Sequence, residues 1–317
     1  MVSGRYRLGV ALLLDPPVAD EVDGLRRALG DPALGRIPAH LTLVPPVNVR
    51  ADQLPAALVR LRAAASVVGG PIQLTLGPPT SFLPLNPVLY LGVGGDTGQL
   101  RRLRDAVFAS PLERKLSWPW VPHVTLADGI EEARIHSALA ALDRFAVVWP
   151  VDRLVLLQEN AGRLWRPLAD AALGPPVIVG TGGLALEITR SRTLDPEVDQ
   201  MLEEAGRSLG LAGGTGPGER RPPFFPIVMT GRRQGQLEGV AAAWAEPGHG
   251  QVAVYVRPES RRQGVGSHLL AHLEVAARRA GWSYEWLEGS GPEQFYLSRG
   301  EWVRPTRTPP TSTGPAS

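Results

Sequence analysis

The sequence predicts an α+β domain followed by a second, α/β unit. Three observations carry that expectation. The 317 residues exceed what one compact core usually holds, and two units of about 150 residues would each bury roughly two thirds of their unfolded surface. Along residues 1–170, strand-like apolar runs alternate with stretches of helical periodicity, so the two element types are mixed. From Ala169 to Gly183 the chain turns small and punctuated (Gly174-Pro175-Pro176, Gly180-Thr181-Gly182-Gly183) before patterned sequence resumes. The expected division is therefore 1–170, a linker at 171–183, a second domain at 184–305 and a disordered Thr/Pro/Ser tail at 306–317.

In order, residues 5–14 are an apolar run closed by Asp15-Pro16-Pro17 and suit a central strand. Val18, Val22, Leu25 and Leu29 recur at helical spacing until Gly30-Asp31-Pro32 stops them. A strand holding Pro38-Ala39-His40-Leu41-Thr42-Leu43 follows, then a helix over 53–65 with Leu54, Leu58 and Leu61 on one side. Residues 72–76 and 88–93 read as strands joined by a Pro-rich connection that begins at Gly77-Pro78-Pro79, and 98–108 as a helix. Val121-Pro122-His123-Val124-Thr125-Leu126 then returns the His-x-Thr pattern. A helix over 131–142 follows, and strands at 145–157 and 163–168 close the domain around Asn160-Ala161-Gly162. The two halves echo one another as a weak internal repeat.

The second domain reads as a strand at 184–189, a helix at 196–209, a glycine-rich mobile loop at 213–218, strands at 224–230, 237–244 and 252–256, and a long helix at 264–280.

Composition removes several function classes. There is no cysteine, hence no disulfide, thiolate nucleophile or Cys-based zinc site. The formal charge is +2 and the basic residues are almost all Arg, with Lys115 the single lysine and no long basic cluster, so no nucleic-acid footprint is written in the charge. No apolar run approaches the about 18 residues of a membrane span, and Gly9 to Leu14 is too short for a signal segment. A cytoplasmic protein without a membrane partner is expected.

Side chains on a strand alternate faces, so His40 and Thr42 point one way while Leu41 and Leu43 point the other, and His123 and Thr125 repeat this against Val124 and Leu126. In-line cleavage of a phosphodiester needs a base on the attacking oxygen and an acid on the leaving one. Two imidazoles with unperturbed pKa near about 6.5 can supply both. Thr42 and Thr125 can donate hydrogen bonds to the non-bridging oxygens as charge builds there, and the scheme needs no metal. The other histidines, His136, His249, His268 and His272, lack this context.

On these paired motifs, residues 1 to about 170 resemble the two-histidine phosphoesterase superfamily of 2′-5′ RNA ligase-like and cyclic phosphodiesterase proteins. The resemblance implies a bilobed α+β fold with pseudo-twofold symmetry and a small nucleotide or RNA-end substrate carrying a 2′,3′-cyclic or related phosphodiester. It makes His40 and His123 the acid/base pair, with neither role assigned, and Thr42 and Thr125 the phosphate-holding residues. Trp118 and Trp120 can stack a base or pack in the core.

In the second domain a strand ending at Tyr255-Val256 enters Arg257-Pro258-Glu259-Ser260-Arg261-Arg262-Gln263-Gly264-Val265-Gly266 and then the long helix. Unpaired N–H groups at such a helix start favour an anion, and glycines let a pyrophosphate approach the main chain. Arg261-x-x-Gly264-x-Gly266, together with Phe295-Tyr296-Leu297-Ser298-Arg299-Gly300, resembles the GNAT acetyltransferase family. That resemblance implies acetyl-CoA as cofactor, with Arg261, Gln263, Gly264, Val265 and Gly266 around the pyrophosphate and Tyr255 and Val256 along the pantetheine. It implies Tyr296 as the acid for the leaving thiolate and an amine as the acceptor. The combined expectation is a bifunctional enzyme; the alternative is an acetyltransferase whose first domain only binds nucleotides or RNA ends.

Overall fold

The computed structural model describes residues 4–180, 185–208, 227–246 and 249–279. The loop at 213–218, Tyr296 with its Phe295–Gly300 patch, and the tail at 306–317 lie outside them. The chain divides into two compact units, Met1–Pro175 and Pro176–Ser317.

The first unit runs β1 (Arg5–Leu13), α1 (Val18–Leu29), β2 (His40–Arg50), α2 (Leu54–Ala65), β3 (Ile72–Ser81), β4 (Val88–Gly95), α3 (Thr97–Val107), β5 (His123–Asp128), α4 (Glu132–Ala141), β6 (Val147–Val151), β7 (Arg153–Asn160) and β8 (Leu164–Ala172). Its strands form one eight-stranded sheet in the order β6-β3-β4-β5-β2-β1-β7-β8. Counted outward from the central β5–β2 pair, the two sides mirror each other: β4 answers β1, β3 answers β7, and β6 answers β8. Where the resemblance implies two lobes, the described strands form one continuous sheet with two matching halves.

All four helices lie on one face. Buried side chains of α1 to α4 (Val22, Leu58, Leu61, Leu100, Leu103, Ile135) form one core with Leu41, Leu43, Val124 and Leu126. Transfer of such side chains from water supplies roughly 1.5–3 kcal/mol each. The helix stops are local: Gly30 takes φ 74° at the end of α1, its N–H bonds the Arg27 carbonyl at 3.1 Å and that of Asp31 bonds the Arg26 carbonyl at 2.9 Å, a Schellman closure.

The structure differs from expectation at three places. Residues 145–157, read as one strand, divide at Asp152 into β6, paired with β3 at one edge of the sheet, and β7, paired with β1 toward the other. The run is apolar almost throughout, which hides the break, but Pro150 belongs on an edge strand and the sheet places it there. Gly77-Pro78-Pro79, read as a connection, lies inside β3 at a register shift between Leu76 and Pro79, where missing ladder donors are tolerated. Val177–Val179, inside the expected linker, form β9, a strand that β-branched residues favour.

Gly77 has φ 104°, and an added Cβ would collide with the Phe145 carbonyl. Gly77→Ala is expected to destabilise the first unit by about 3 kcal/mol or more, read as a lowered midpoint in thermal or urea unfolding.

The second unit continues with β10 (Leu186–Ser191), α5 (Pro196–Ser208), β11 (Ile227–Arg233), β12 (Gln236–Glu246), β13 (His249–Val256) and α6 (Val265–Arg279). Its sheet, β13-β12-β11-β10-β9, is antiparallel at every described pairing. Leu269, Leu270, Leu273 and Ala277 of α6 pack against Leu186, Met229 and Ala241. Among the described residues no helix is long and apolar enough to cross a membrane.

Candidate functional site

The two His-x-Thr strands meet at the middle of the first sheet. β2 and β5 are antiparallel with Leu41 directly opposite Val124, both fully buried on the helix-covered face. Counting outward from that pair puts His40 opposite Thr125 and Thr42 opposite His123, all four on the face without helices. Directly opposed Cβ atoms are about 4.5–5.5 Å apart and diagonal neighbours about 7–8 Å. Each histidine therefore has the other motif's threonine across from it and the second histidine on the diagonal. This spacing can seat one phosphoryl group between two imidazoles.

Both rings are fixed in the same way. His40 Nδ1 lies 2.8 Å from the Pro38 carbonyl and His123 Nδ1 lies 2.8 Å from the Val121 carbonyl. A carbonyl only accepts, so Nδ1 carries the proton in each ring and Nε2 is left to accept or deliver another.

Burial pushes the His40 pKa down to about 4, and the positive charges of Arg26 and His123 act in the same direction against the Pro38 carbonyl and the Asp31 carboxylate. The pKa of His123 is also lowered, by burial, with the Val121 carbonyl opposing. The burial has identifiable walls. Phe82 and Tyr90 stack at 4.2 Å, and each presents to the His123 ring at 5.2 Å in edge geometry. Tyr90 stands opposite Thr125 on β4, and Gly92 stands opposite His123.

The other half has a different wall. Leu13 is opposite His40 and Ala11 opposite Thr42 on β1, and they cluster with Val155, Leu157, Ile37 and Trp165. Trp165 lies over Gly9, where an added Cβ would meet its ring at 3.5 Å.

The two tryptophans before the second motif have different settings. Trp120 packs on the main core and donates from Nε1 to the Thr42 carbonyl at 2.9 Å, a side-chain tie between the two motifs. Trp118 is 73% exposed.

Sequence reasoning passed over Phe82, Tyr90 and Trp165. Alternation within β4 sets Tyr90 and Gly92 apart from Leu89 and Leu91, but which strand lies beside β4 is a long-range fact. Trp165 was visible only as a strand residue.

In the second unit the turn into α6 has Arg262 at φ 61° and Gly264 at φ 79°. Ser260 donates to Glu238, and Arg257 Nε donates to the Leu237 carbonyl at 2.8 Å, which anchors the turn to β12. Arg261, Gln263 and Gly264 are exposed, whereas Val265 and Gly266 are buried. An added Cβ at Gly264 would meet only the His268 ring, at 3.8 Å, so the outer side of the turn is open for a group to approach the main chain. Arg261 Nε donates to the Val256 carbonyl at 3.1 Å, and Gln263 bonds Arg233 at 2.8 Å and the Glu259 carbonyl at 3.0 Å. The half-buried Tyr255 lies 5.8 Å from the Arg261 guanidinium.

Comparison with known proteins gives two family matches. Residues 14–163 match the model of the 2′-5′ RNA ligase superfamily and residues 227–300 that of the acetyltransferase (GNAT) domain. A Bacillus cereus (strain B4264) protein provisionally named a phosphoesterase is 29% identical over 161 residues, which is 50% of this chain and 92% of the relative. A Bacillus anthracis (strain A0248) protein with the same designation matches over the same shares of both chains at 29% identity. Among solved structures, Escherichia coli LigT complexed with 3′-AMP is 19% identical with a TM-score of 0.37, covering 54% of this chain and 99% of that one. A Thermus thermophilus protein is 21% identical with a TM-score of 0.38, covering 53% and 97%.

Proposed function

We propose that this chain, which joins a 2′-5′ RNA ligase superfamily domain to a GNAT acetyltransferase domain, is a bifunctional enzyme whose first unit cleaves a 2′,3′-cyclic or 2′-5′ phosphodiester of a nucleotide or RNA end. The observation that carries this reading is the four-residue block around the Leu41–Val124 pair, with two Nδ1-anchored imidazoles on the diagonal. For hydrolysis, His40 Nε2 takes the proton of the attacking water as the new P–O bond forms. His123, as imidazolium, returns a proton from Nε2 to the ribose oxygen as its bond to phosphorus breaks. Thr42 and Thr125 donate to the non-bridging oxygens, whose charge grows in the transition state.

The assignment of base and acid rests on charge. The Arg26 cation disfavours protonated His40 in addition to burial, whereas His123 is lowered by burial with the Val121 carbonyl opposing. Both rings are depressed in the free protein, and the negative phosphodiester raises them on binding, which makes the imidazolium available where it is needed.

Hydrolysis of 2′,3′-cyclic nucleotides and cyclic-phosphate-ended or 2′-5′-linked oligonucleotides in EDTA tests the reading. Turnover that survives chelation is expected. Binding without turnover of any substrate would reduce the first unit to a recognition module serving the second.

For the second unit we propose acetyl-CoA-dependent transfer to an amine. Arg261, Gln263, Gly264, Val265 and Gly266 would hold the pyrophosphate and Tyr255 and Val256 the pantetheine arm, with Tyr296 as acid. When bound, the cofactor supplies an activated acyl group. The open outer side of Gly264 and its place at the start of α6, where helix N–H groups favour an anion, support this reading. Calorimetric titration with CoA is expected to show binding that Gly264→Glu abolishes through bulk and like charge.

A further inference from the structure

Behind His40 lies a buried ion pair whose part in the chemistry above is limited to the charge of Arg26. Arg26 of α1 and the Asp31 carboxylate are 3% and 2% exposed in their side chains, with Nε to Oδ2 at 2.7 Å. A second Arg26 nitrogen reaches Asp23 at 2.7 Å, and the third donates to the Ile37 carbonyl at 3.1 Å. Asp31 also accepts the Ala33 N–H at 3.0 Å. The Schellman closure at Gly30 brings Asp31 back onto Arg26, so the pair is built from the end of one helix and the turn that stops it.

Apart from the contact with Asp23, these bonds all fall on residues 31–37, the segment that delivers Pro38. Removing two charges from water is expensive, and a hydrophobic pair often serves stability as well, so a buried fork of this kind is best understood by what it holds in place. Arg26 spans two carboxylates and a carbonyl at once through three separate nitrogens of a planar fork, a geometry that a compact ammonium does not reproduce. The approach to His123 is tied differently, by the Trp120 indole to the Thr42 carbonyl and by the exposed Arg114 guanidinium to the Pro46 carbonyl at 2.9 Å.

We propose that Arg26 is a positioning residue for His40: through Asp31 and the Ile37 carbonyl it holds the loop whose Pro38 carbonyl fixes the His40 ring at Nδ1 and leaves Nε2 facing the cleft. This rests on the reading of His40 as a proton-transfer group. The charged and titrating groups that bear on His40 are Arg26 from α1, Asp31 from the following turn and His123 from β5, and of these the cation of Arg26 weighs most.

The test is nitrogen-15 NMR of histidine-labelled full-length protein, which distinguishes Nδ1–H from Nε2–H tautomers. It compares the native chain with the double variant Arg26→Met, Asp31→Asn, which leaves no unpaired buried charge, and with Arg26→Lys, which keeps the charge and loses the fork. In both variants His40 is expected to lose its single Nδ1–H signature while His123 retains it. In the double variant the His40 titration midpoint is expected to rise, and kcat on a hydrolysed phosphodiester to fall about tenfold at unchanged KM. Should the double variant fail to fold, the lysine variant carries the test.

An unaltered His40 tautomer in a folded variant overturns the proposal. A changed tautomer in a protein that hydrolyses no phosphodiester leaves the positioning role standing and ends the catalytic reading. Hydrolysis combined with an unaltered tautomer does the reverse.

Discussion

His40→Ala and His123→Ala are each expected to lower kcat on the best phosphodiester substrate about a thousandfold, and the double variant to be scarcely worse than either single one. General acid and base catalysis contribute about 10²–10⁴ each, and groups that act as a unit lose their effect together. The histidines are half-buried on a sheet whose core is on the opposite face, so both variants should fold, which circular dichroism checks.

The pH profile sharpens the assignment. His40 has a depressed pKa, so its free-base form persists as pH falls from about 6.5 toward its value near about 4. His123 is also lowered, so its imidazolium form is lost on raising pH sooner than for a free imidazole. The profile of kcat/KM is therefore expected to peak on the acid side of about 6.5, and that of kcat, which reports the complex, at higher pH. The same shift bears on stability. Unfolded His40 binds a proton that the native ring resists, so stability is present above the unfolded pKa and declines as pH falls through the window between about 6.5 and about 4.

The second large effect concerns the threonines. Thr42→Val and Thr125→Val keep shape and strand preference while removing one donor each, and each is expected to cost about 10²-fold in kcat with KM changed far less. A donor matched to charge that grows only in the transition state acts on the rate; one that merely recognises phosphate would raise KM at constant kcat. Steady-state kinetics on both variants separates these cases.

Much of this site was legible because it is local. The alternation of His40, Leu41, Thr42 and Leu43 fixes which side chains share a face without knowledge of any partner strand, and the second copy supplies the same information at His123 to Leu126. Helix α1 was equally legible, since its apolar spacing and Gly30 stop are contained in one stretch. What escaped was long-range. That β5 lies against β2 with Leu41 on Val124 could be suggested only by resemblance, and the walls made by Phe82, Tyr90 and Trp165 depend on the sheet order. The break at Asp152 was hidden for the same reason: an apolar run looks alike whether it continues along one strand or leaves one edge of a sheet for the other. Arg26 was a polar residue on a helix until the turn after Gly30 folded Asp31 back onto it.

The antiparallel Leu41–Val124 pair has a further consequence. A half-turn about it exchanges His40 with His123 and Thr42 with Thr125, and a half-turn of a bound diester about phosphorus likewise exchanges its two bridging oxygens. The quartet alone therefore presents nearly the same partners to either orientation. Regiochemistry, the choice between a 2′-phosphate and a 3′-phosphate product from a cyclic diester, must come from what the half-turn does not preserve. That includes the Arg26–Asp31 pair beside His40 and the pairing of Leu13 and Ala11 with one half and of Gly92 and Tyr90 with the other. The bulk missing at Gly92 and present at Leu13 gives the two ends of the cleft different shapes, and on the proposed hydrolysis those shapes are expected to bias which oxygen leaves.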